Sequence, residues 1–184
     1  MPQKPKILNK NTVAKSRLFR IESLDIEFSN GAQRRYERLS RGSGSGAVLI
    51  VPLLDNDTFL LIREYAAGLD RYELGFPKGK LDPGEDSLTA ANRELKEEVG
   101  YGAMNLHFLT TLSLAPSYME HCIDVIIARD LYPQRLPGDE PEELEVVPWK
   151  TADISTLLAT GECSEARSIA ALYMTLDFLN KKNQ

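Results

Sequence analysis

The stretch "AVLIVPLL" at residues 47–54 constrains the fold of this 184-residue chain more than any other. It is almost continuously apolar, as expected for a strand buried on both faces, and a sheet built on such a strand needs cover on each side. "TFLLIREY" follows as a second strand across Asp55-Asn56-Asp57. Upstream, "LFRIESLDIEF" (18–28), an Asn30-Gly31 turn and the returning "QRRYERL" read as a β-hairpin. "RGSGSG" (41–46) reads as a short flexible connection. Downstream, "NLHFLTTLSL" and "CIDVIIARDL" are strand candidates, and the irregular loop "YPQRLPGDEPEE" leads to a last one, "LEVVPW". A short helix is expected over 153–158. A longer one is expected over 165–179, with Ile169, Leu172, Tyr173, Leu176 and Leu179 on its buried face. The order predicts an α+β chain whose mixed sheet is covered by helices. An N-terminal strand and hairpin region (1–45) precedes the main domain (46–184), packing on that domain or on a partner.

Composition narrows the function classes. With 27% charged and 42% hydrophobic residues the chain reads as globular. Its net charge of −5 provides no overall basic field, so stable nucleic-acid binding is not expected. Phosphates would be held only by local Arg or Lys or by a bound cation. Cys122 and Cys163 lack metal-type spacing and read as free thiols of a reducing compartment, Cys122 as a buried one. No apolar run approaches a membrane span and none near the N-terminus has signal-peptide length, so a cytoplasmic protein without a membrane partner is expected.

The segment "GKLDPGEDSLTAANRELKEEVGY" carries the chemistry. Asp86 is placed to cap a helix over 87–99, and Gly100 to end it in a left-handed turn. At about 100° per residue, Leu88, Ala91, Leu95 and Val99 share one sector and are expected to face the core. Glu94 and Glu98 lie about 40° apart on that projection, and Glu98 borders the apolar stripe. Glu97 pairs with Arg93 at the i, i+4 spacing, which lets the guanidinium hold its carboxylate. A run of like charges is ordinarily a solvated face. Here Glu98 lies too near the stripe for free solvation, so Glu94 and Glu98 are read as sharing a cation. Hard carboxylate oxygens suit Mg²⁺ or Mn²⁺ rather than zinc.

The spacing Gly79-x5-Glu85-x7-Arg93-Glu94-Leu95-x-Glu97-Glu98-x-Gly100 matches the signature of the Nudix hydrolases, with Tyr101 in place of the usual aliphatic residue. The chain resembles this family, and "YELGFPKGKLDPGE" and "REY" resemble its ADP-ribose pyrophosphatase branch and enzymes acting on other ADP compounds. The resemblance implies a Nudix fold and a Mg²⁺-dependent pyrophosphohydrolase, with Mn²⁺ as a substitute. It also implies ADP-containing substrates (ADP-ribose, NADH, diadenosine polyphosphates) and a homodimer. Carried over by position, Glu94, Glu98 and Glu97 would bind metal together with the main-chain carbonyl of Lys78. Arg93 would orient Glu97, while Gly79, Glu85 and Gly100 would shape the motif. Relatives place an aromatic-Glu pair against adenine where this chain has Tyr36 and Glu37. Arg63 is a candidate phosphate contact. In "LAPSY", Pro116 and Tyr118 lie where substrate-selecting residues are found. The family's loop base would come from "GDEPEELEVV", with Glu140 or Glu142 favoured over Glu143.

The chain also departs from the branch. Gly75 stands where many ADP-ribose enzymes carry Glu, and Ala66 where they often carry Arg. His107 and His121 lie outside the motif, and Trp149 reads as packing. Two alternatives stay open beside the ADP-compound reading. One is a dinucleoside polyphosphate or capped-RNA hydrolase, and the other a nucleotide sensor without chemistry; the intact glutamates argue against the sensor.

Overall fold

A computed structural model describes residues 3–41 and 46–182, so the connection expected over 41–46 falls, but for its ends, outside the described residues. The chain divides into two compact units, Met1–Gly44 with Ser113–Cys122, and Ser45–Leu112 with Ile123–Gln184.

In the first unit the expected hairpin forms from β2 (Arg20–Glu27) and β3 (Gln33–Ser40), in register from Arg20↔Ser40 to Glu27↔Gln33. Gly31, at φ +80°, supplies the left-handed turn that an L side chain resists. A further strand, β1 (Lys6–Lys15), pairs antiparallel with β2. Its polar sequence has no period-2 alternation, and all ten of its residues are exposed. Glu22 is buried in this sheet, and Arg38 approaches it at 3.0 Å.

The second unit is built around β4 (Ala47–Pro52), which lies parallel to β9 (Cys122–Pro133) and antiparallel to β7 (Lys78–Lys80). With β8 (Tyr101–Ser113) these form a mixed sheet in the order β7-β4-β9-β8. A second, antiparallel sheet has the order β10-β5-β6, from β10 (Glu145–Lys150), β5 (Thr58–Ala66) and β6 (Arg71–Gly75). The helices are α1 (Ser87–Glu94), α2 (Ile154–Thr160) and α3 (Ala166–Lys182).

Alternation along β4 explains its apolar sequence. Val48 and Ile50 pack with Ala90, Ala91, Leu95 and Val99 of the acidic helix, whereas Leu49 and Val51 pack with Leu157, Ala171 and Leu172 from α2 and α3. Both faces are therefore covered, and each fully buried side chain of this size contributes roughly 1.5–3 kcal/mol.

Three expectations are corrected by packing. Leu88 is 40% exposed, because α1 approaches the sheet through Ala90 and Ala91, whose small side chains permit close contact, leaving the first turn outside. Tyr173 is 50% exposed: α3 buries the stripe Ser168, Ala171, Leu172 and Thr175, which hydropathy alone does not reveal. Cys122 is only partly buried at the start of β9, while Cys163 is buried, and both are free thiols.

Candidate active site

The site grows from a turn, a short strand and a helix with an irregular end. Gly84, at φ +86°, bends the chain so that Glu85 accepts a hydrogen bond from the Asp82 N–H (3.0 Å). Asp86 caps α1 by accepting from the Thr89 N–H at 2.8 Å. The uniform α-helix expected over 87–99 stops at Glu94 and widens into a π-helical turn, Leu95–Val99. There the Gly100 N–H reaches back five residues to the Leu95 carbonyl (3.2 Å), and Gly100, at φ +82°, ends the helix. Such a widened turn shifts side chains away from the 100° projection, and π-turns often mark functional sites. Glu97 and Glu98 both lie in this turn, and Glu98 is 8% exposed against 9% for Glu94.

The segment around Gly79 is strand β7, with Gly79 opposite Val48 and Lys78 opposite Leu49. A Cβ on Gly79 would lie 1.9 Å from Cδ of Glu94, so glycine there makes the space the carboxylate occupies. Arg93 binds the acidic groups together. Its Nε and NH2 donate to the two oxygens of Glu85 (3.1 and 2.9 Å), and NH1 donates to Glu94 (2.8 Å) and Glu97 (3.0 Å). NH2 also donates to the Lys80 carbonyl (2.9 Å), tying β7 to the helix. The Glu85 carboxylate foremost, then that of Glu94, raises the Arg93 pKa further above its ordinary value.

Glu98 accepts a hydrogen bond from the Lys78 N–H (3.1 Å). Burial first, and then the Glu94 charge, push its pKa up to about 8. Burial also raises the Glu94 pKa, against the pull of Arg93. Two carboxylates held this far from water, each disfavouring ionisation of the other, make a place where a cation is stabilising. Among the described residues, no three His, Cys, Asp or Glu side chains are arranged to hold a metal ion as they stand. Arg93 and the Lys78 N–H occupy the oxygens that a cation would use. The donor set is nonetheless all hard oxygen and fits Mg²⁺ or Mn²⁺.

Glu140 joins Glu94, Glu97 and Glu98 in lining a cleft of about 530 Å³. Burial, then Glu64 and Asp139, raise its pKa. Glu142 lines the adjoining cleft but accepts a hydrogen bond from the Tyr72 hydroxyl at 2.7 Å. Glu143 lies 3.8 Å from Arg135. Arg63 is engaged by Glu145 (2.7 Å) and Glu162 (3.0 Å). Tyr36, Glu37, Pro116 and Tyr118 belong to the first unit, where Tyr36 is 44% and Tyr118 55% exposed. His107 stacks on Phe178, and Trp149 donates to the Asp153 carbonyl.

The sequence reading missed Glu64, whose carboxylate accepts from the Lys78 Nζ (3.1 Å), and Glu165 at the head of α3. The sequence signals for Glu64 are its place in the "REY" segment and a charge ending an apolar strand. Its place opposite Glu73 in the β5–β6 register emerges only when the strands pair.

A NudE-type Nudix hydrolase N-terminal domain matches residues 5–38, and a NUDIX domain matches residues 45–172. The chain is 54% identical to the ADP compounds hydrolase NudE of Escherichia coli (strain K12), over 96% of this chain and 94% of that protein. It is 28% identical to an ADP-ribose pyrophosphatase of Bacillus subtilis (strain 168), over 91% of this chain and 92% of that one. A crystal structure of an ADP compounds hydrolase superposes with a TM-score of 0.91 at 52% identity, covering 99% of this chain and 97% of that one. With the signature glutamates gathered on one helix end against Gly79, and with matches over nearly its whole length, the chain belongs to the Nudix hydrolase family.

Proposed function

We propose that this enzyme hydrolyses ADP joined to a second moiety, releasing AMP and the remaining phosphorylated product, with ADP-ribose, NADH and diadenosine polyphosphates as candidate substrates. The observation that carries the reading is the pair of buried carboxylates, Glu94 held by Arg93 against Gly79 and Glu98 held by the neighbouring Lys78 N–H. The relative named as an ADP compounds hydrolase, 54% identical along almost the entire chain, supports the substrate class.

Glu94, Glu98, Glu97 and the main-chain carbonyl of Lys78 would hold Mg²⁺, or Mn²⁺ in its place. Bound there, the cation screens phosphoryl charge and acidifies water. Arg93 fixes the orientation of Glu94 and Glu97, and the β7 backbone fixes Glu98. Glu140, lining the same cleft as Glu94, Glu97 and Glu98 while Glu142 is held by the Tyr72 hydroxyl, takes the proton from the attacking water. The water oxygen bonds to phosphorus, the anhydride P–O bond breaks, and its electron pair departs with the leaving phosphate. Tyr36 and Glu37 would meet adenine, Arg63 would exchange a carboxylate for phosphate, and Pro116 and Tyr118 would select substrate.

The N-terminal unit would serve a homodimer. Residues 3–41 hold ten Lys and Arg against four Asp and Glu, in a chain with 22 against 27, so a second copy offers complementary charge. Ile7, Leu8 and Val13 of β1 are each more than half exposed. Two free thiols accord with a cytoplasmic setting.

Glu98→Gln tests the reaction. Turnover of ADP-ribose with saturating Mg²⁺ should fall by at least about 10²-fold while the circular dichroism spectrum is kept. A near-normal kcat would remove Glu98 from the site.

A further inference from the structure

We propose that Tyr72 is a positioning residue for the acidic strap at residues 137–143: its hydroxyl holds Glu142 and thereby keeps Glu140 at the cleft of the box glutamates. The proposal rests on the reading above, in which Glu140 takes the proton from the attacking water. Tyr72 acts only through the strap.

The strap needs a holder because its sequence supplies little structure of its own. Pro137 and Pro141 have no N–H to donate, and Gly138 leaves the backbone free. Its two ends are anchored. On one side the Gln134 N–H donates to the Gly100 carbonyl (3.0 Å) and the Leu136 N–H to the Lys96 carbonyl (3.1 Å), which fixes the neck of the strap to the helix end. On the other side Leu144 is buried, in the cluster that holds Val48, Leu95 and Val99. A Cβ on Gly138 would stand 3.7 Å from the Cβ of Glu97, so the strap begins in contact with the box. Between these anchors, among the described residues, one side-chain hydrogen bond reaches the strap: the Tyr72 hydroxyl donates to Glu142 at 2.7 Å. Arg135, 3.8 Å from Glu143, adds only an exposed ion pair.

Tyr72 is itself held in place. It lies opposite Tyr65 in the β5–β6 register, and the two rings meet edge to face with centroids 5.6 Å apart. The Tyr65 hydroxyl donates to Asp70, which stands at φ +55° in the hairpin turn, a conformation that Asp tolerates better than most residues. The turn thus fixes Tyr65, Tyr65 fixes the ring of Tyr72, and Tyr72 fixes Glu142. Both rings are about half exposed, so core burial does not account for a hydroxyl aimed at the strap. The Glu142 carboxylate raises the Tyr72 pKa, so the hydroxyl keeps the proton that it donates. Glu140, two residues before the held carboxylate, lines the cleft with Glu94, Glu97 and Glu98.

Tyr72→Phe removes the hydroxyl and keeps the ring against Tyr65. With ADP-ribose and saturating Mg²⁺, kcat should fall about three- to ten-fold with little change in KM, the range spanned by one ordinary hydrogen bond. In a Glu140→Gln background the same change should cost less than about two-fold, because a residue that acts through another adds nothing once the other is gone. Independently of turnover, nitrogen-15 relaxation of the metal-free protein should show the order parameters of residues 138–140, 142 and 143 falling in Tyr72→Phe toward the flexible range, below about 0.6. Wild-type kcat in Tyr72→Phe overturns the proposal, as does the full loss repeated on Glu140→Gln. Unchanged order parameters overturn it too. Should Glu140→Gln itself keep wild-type kcat, the reading of Glu140 as base fails, and the order parameters alone decide whether Tyr72 holds the strap.

Discussion

Among single residues, Gly79 and Glu94 fix each other's place in the site. Glycine at 79 is a requirement of space rather than of backbone conformation, because the Glu94 carboxylate fills the position of its missing Cβ. Gly79→Ala is expected to displace Glu94 or β7, lowering kcat at least as far as loss of a metal ligand does. The same change should lower stability by about 1–3 kcal/mol, the usual cost of overpacking. Kinetics paired with thermal melts would check it, and an alanine variant with wild-type kcat would show that Glu94 can sit elsewhere. For the base, Glu140 faces the box cleft while Glu142 is held by Tyr72. Glu140→Gln should reduce kcat about 10²-fold with little change in KM, and Glu142→Gln far less. Equal, small effects of both would place the base within the box.

Between elements, the tie of β6 to the start of α3 dominates. Glu73 is buried on β6 and accepts from the Ser164 N–H (3.0 Å), the Ser164 hydroxyl (2.8 Å) and Arg71 (2.7 Å). Burial alone would raise its pKa, but these donors outweigh burial and lower it below 4.5. With the folded pKa depressed, the charged form contributes stability that is complete above about pH 4.5 and is lost as pH falls through the folded value. Glu73→Gln should therefore destabilise by about 1.5–3 kcal/mol near neutrality, the worth of hydrogen bonds to a charged group. Its deficit relative to wild type should shrink as the pH is lowered below 4.5. Urea unfolding of both proteins across that range would reveal a constant deficit if Glu73 were not the titrating link.

For the whole molecule, assembly is the open property with the clearest physical expectation. On the proposed homodimer, the exposed apolar residues of β1 would be covered and the basic balance of residues 3–41 would meet a complementary charge. Sedimentation at assay concentration should report a dimer, with the charge contribution weakening as salt is raised. A fully active monomer would assign the N-terminal sheet some other role. Among the described residues, no helix is long and apolar enough to cross a membrane, which leaves β-barrel spans unaddressed.

What the sequence determined by itself was whatever repeats at short range. The apolar run at 47–54 required a strand covered on both faces. The i, i+4 spacing joined Arg93 to Glu97, and Asp86 and Gly100 marked the helix ends, as observed. Interactions between distant segments were decided only by tertiary structure. The π-turn at Leu95–Val99 has no periodic signature, and β7 is a strand only because β4 lies beside it. The polar stripe Ser168 and Thr175 is buried because small side chains let α3 approach the sheet, and β1 owes its strand to the register of β2. Glu64 and Lys78 meet across segments fourteen residues apart, and Arg63 finds its acidic partners 82 and 99 residues away. Periodicity records which face a segment turns inward; it carries no record of what the rest of the chain brings to that face.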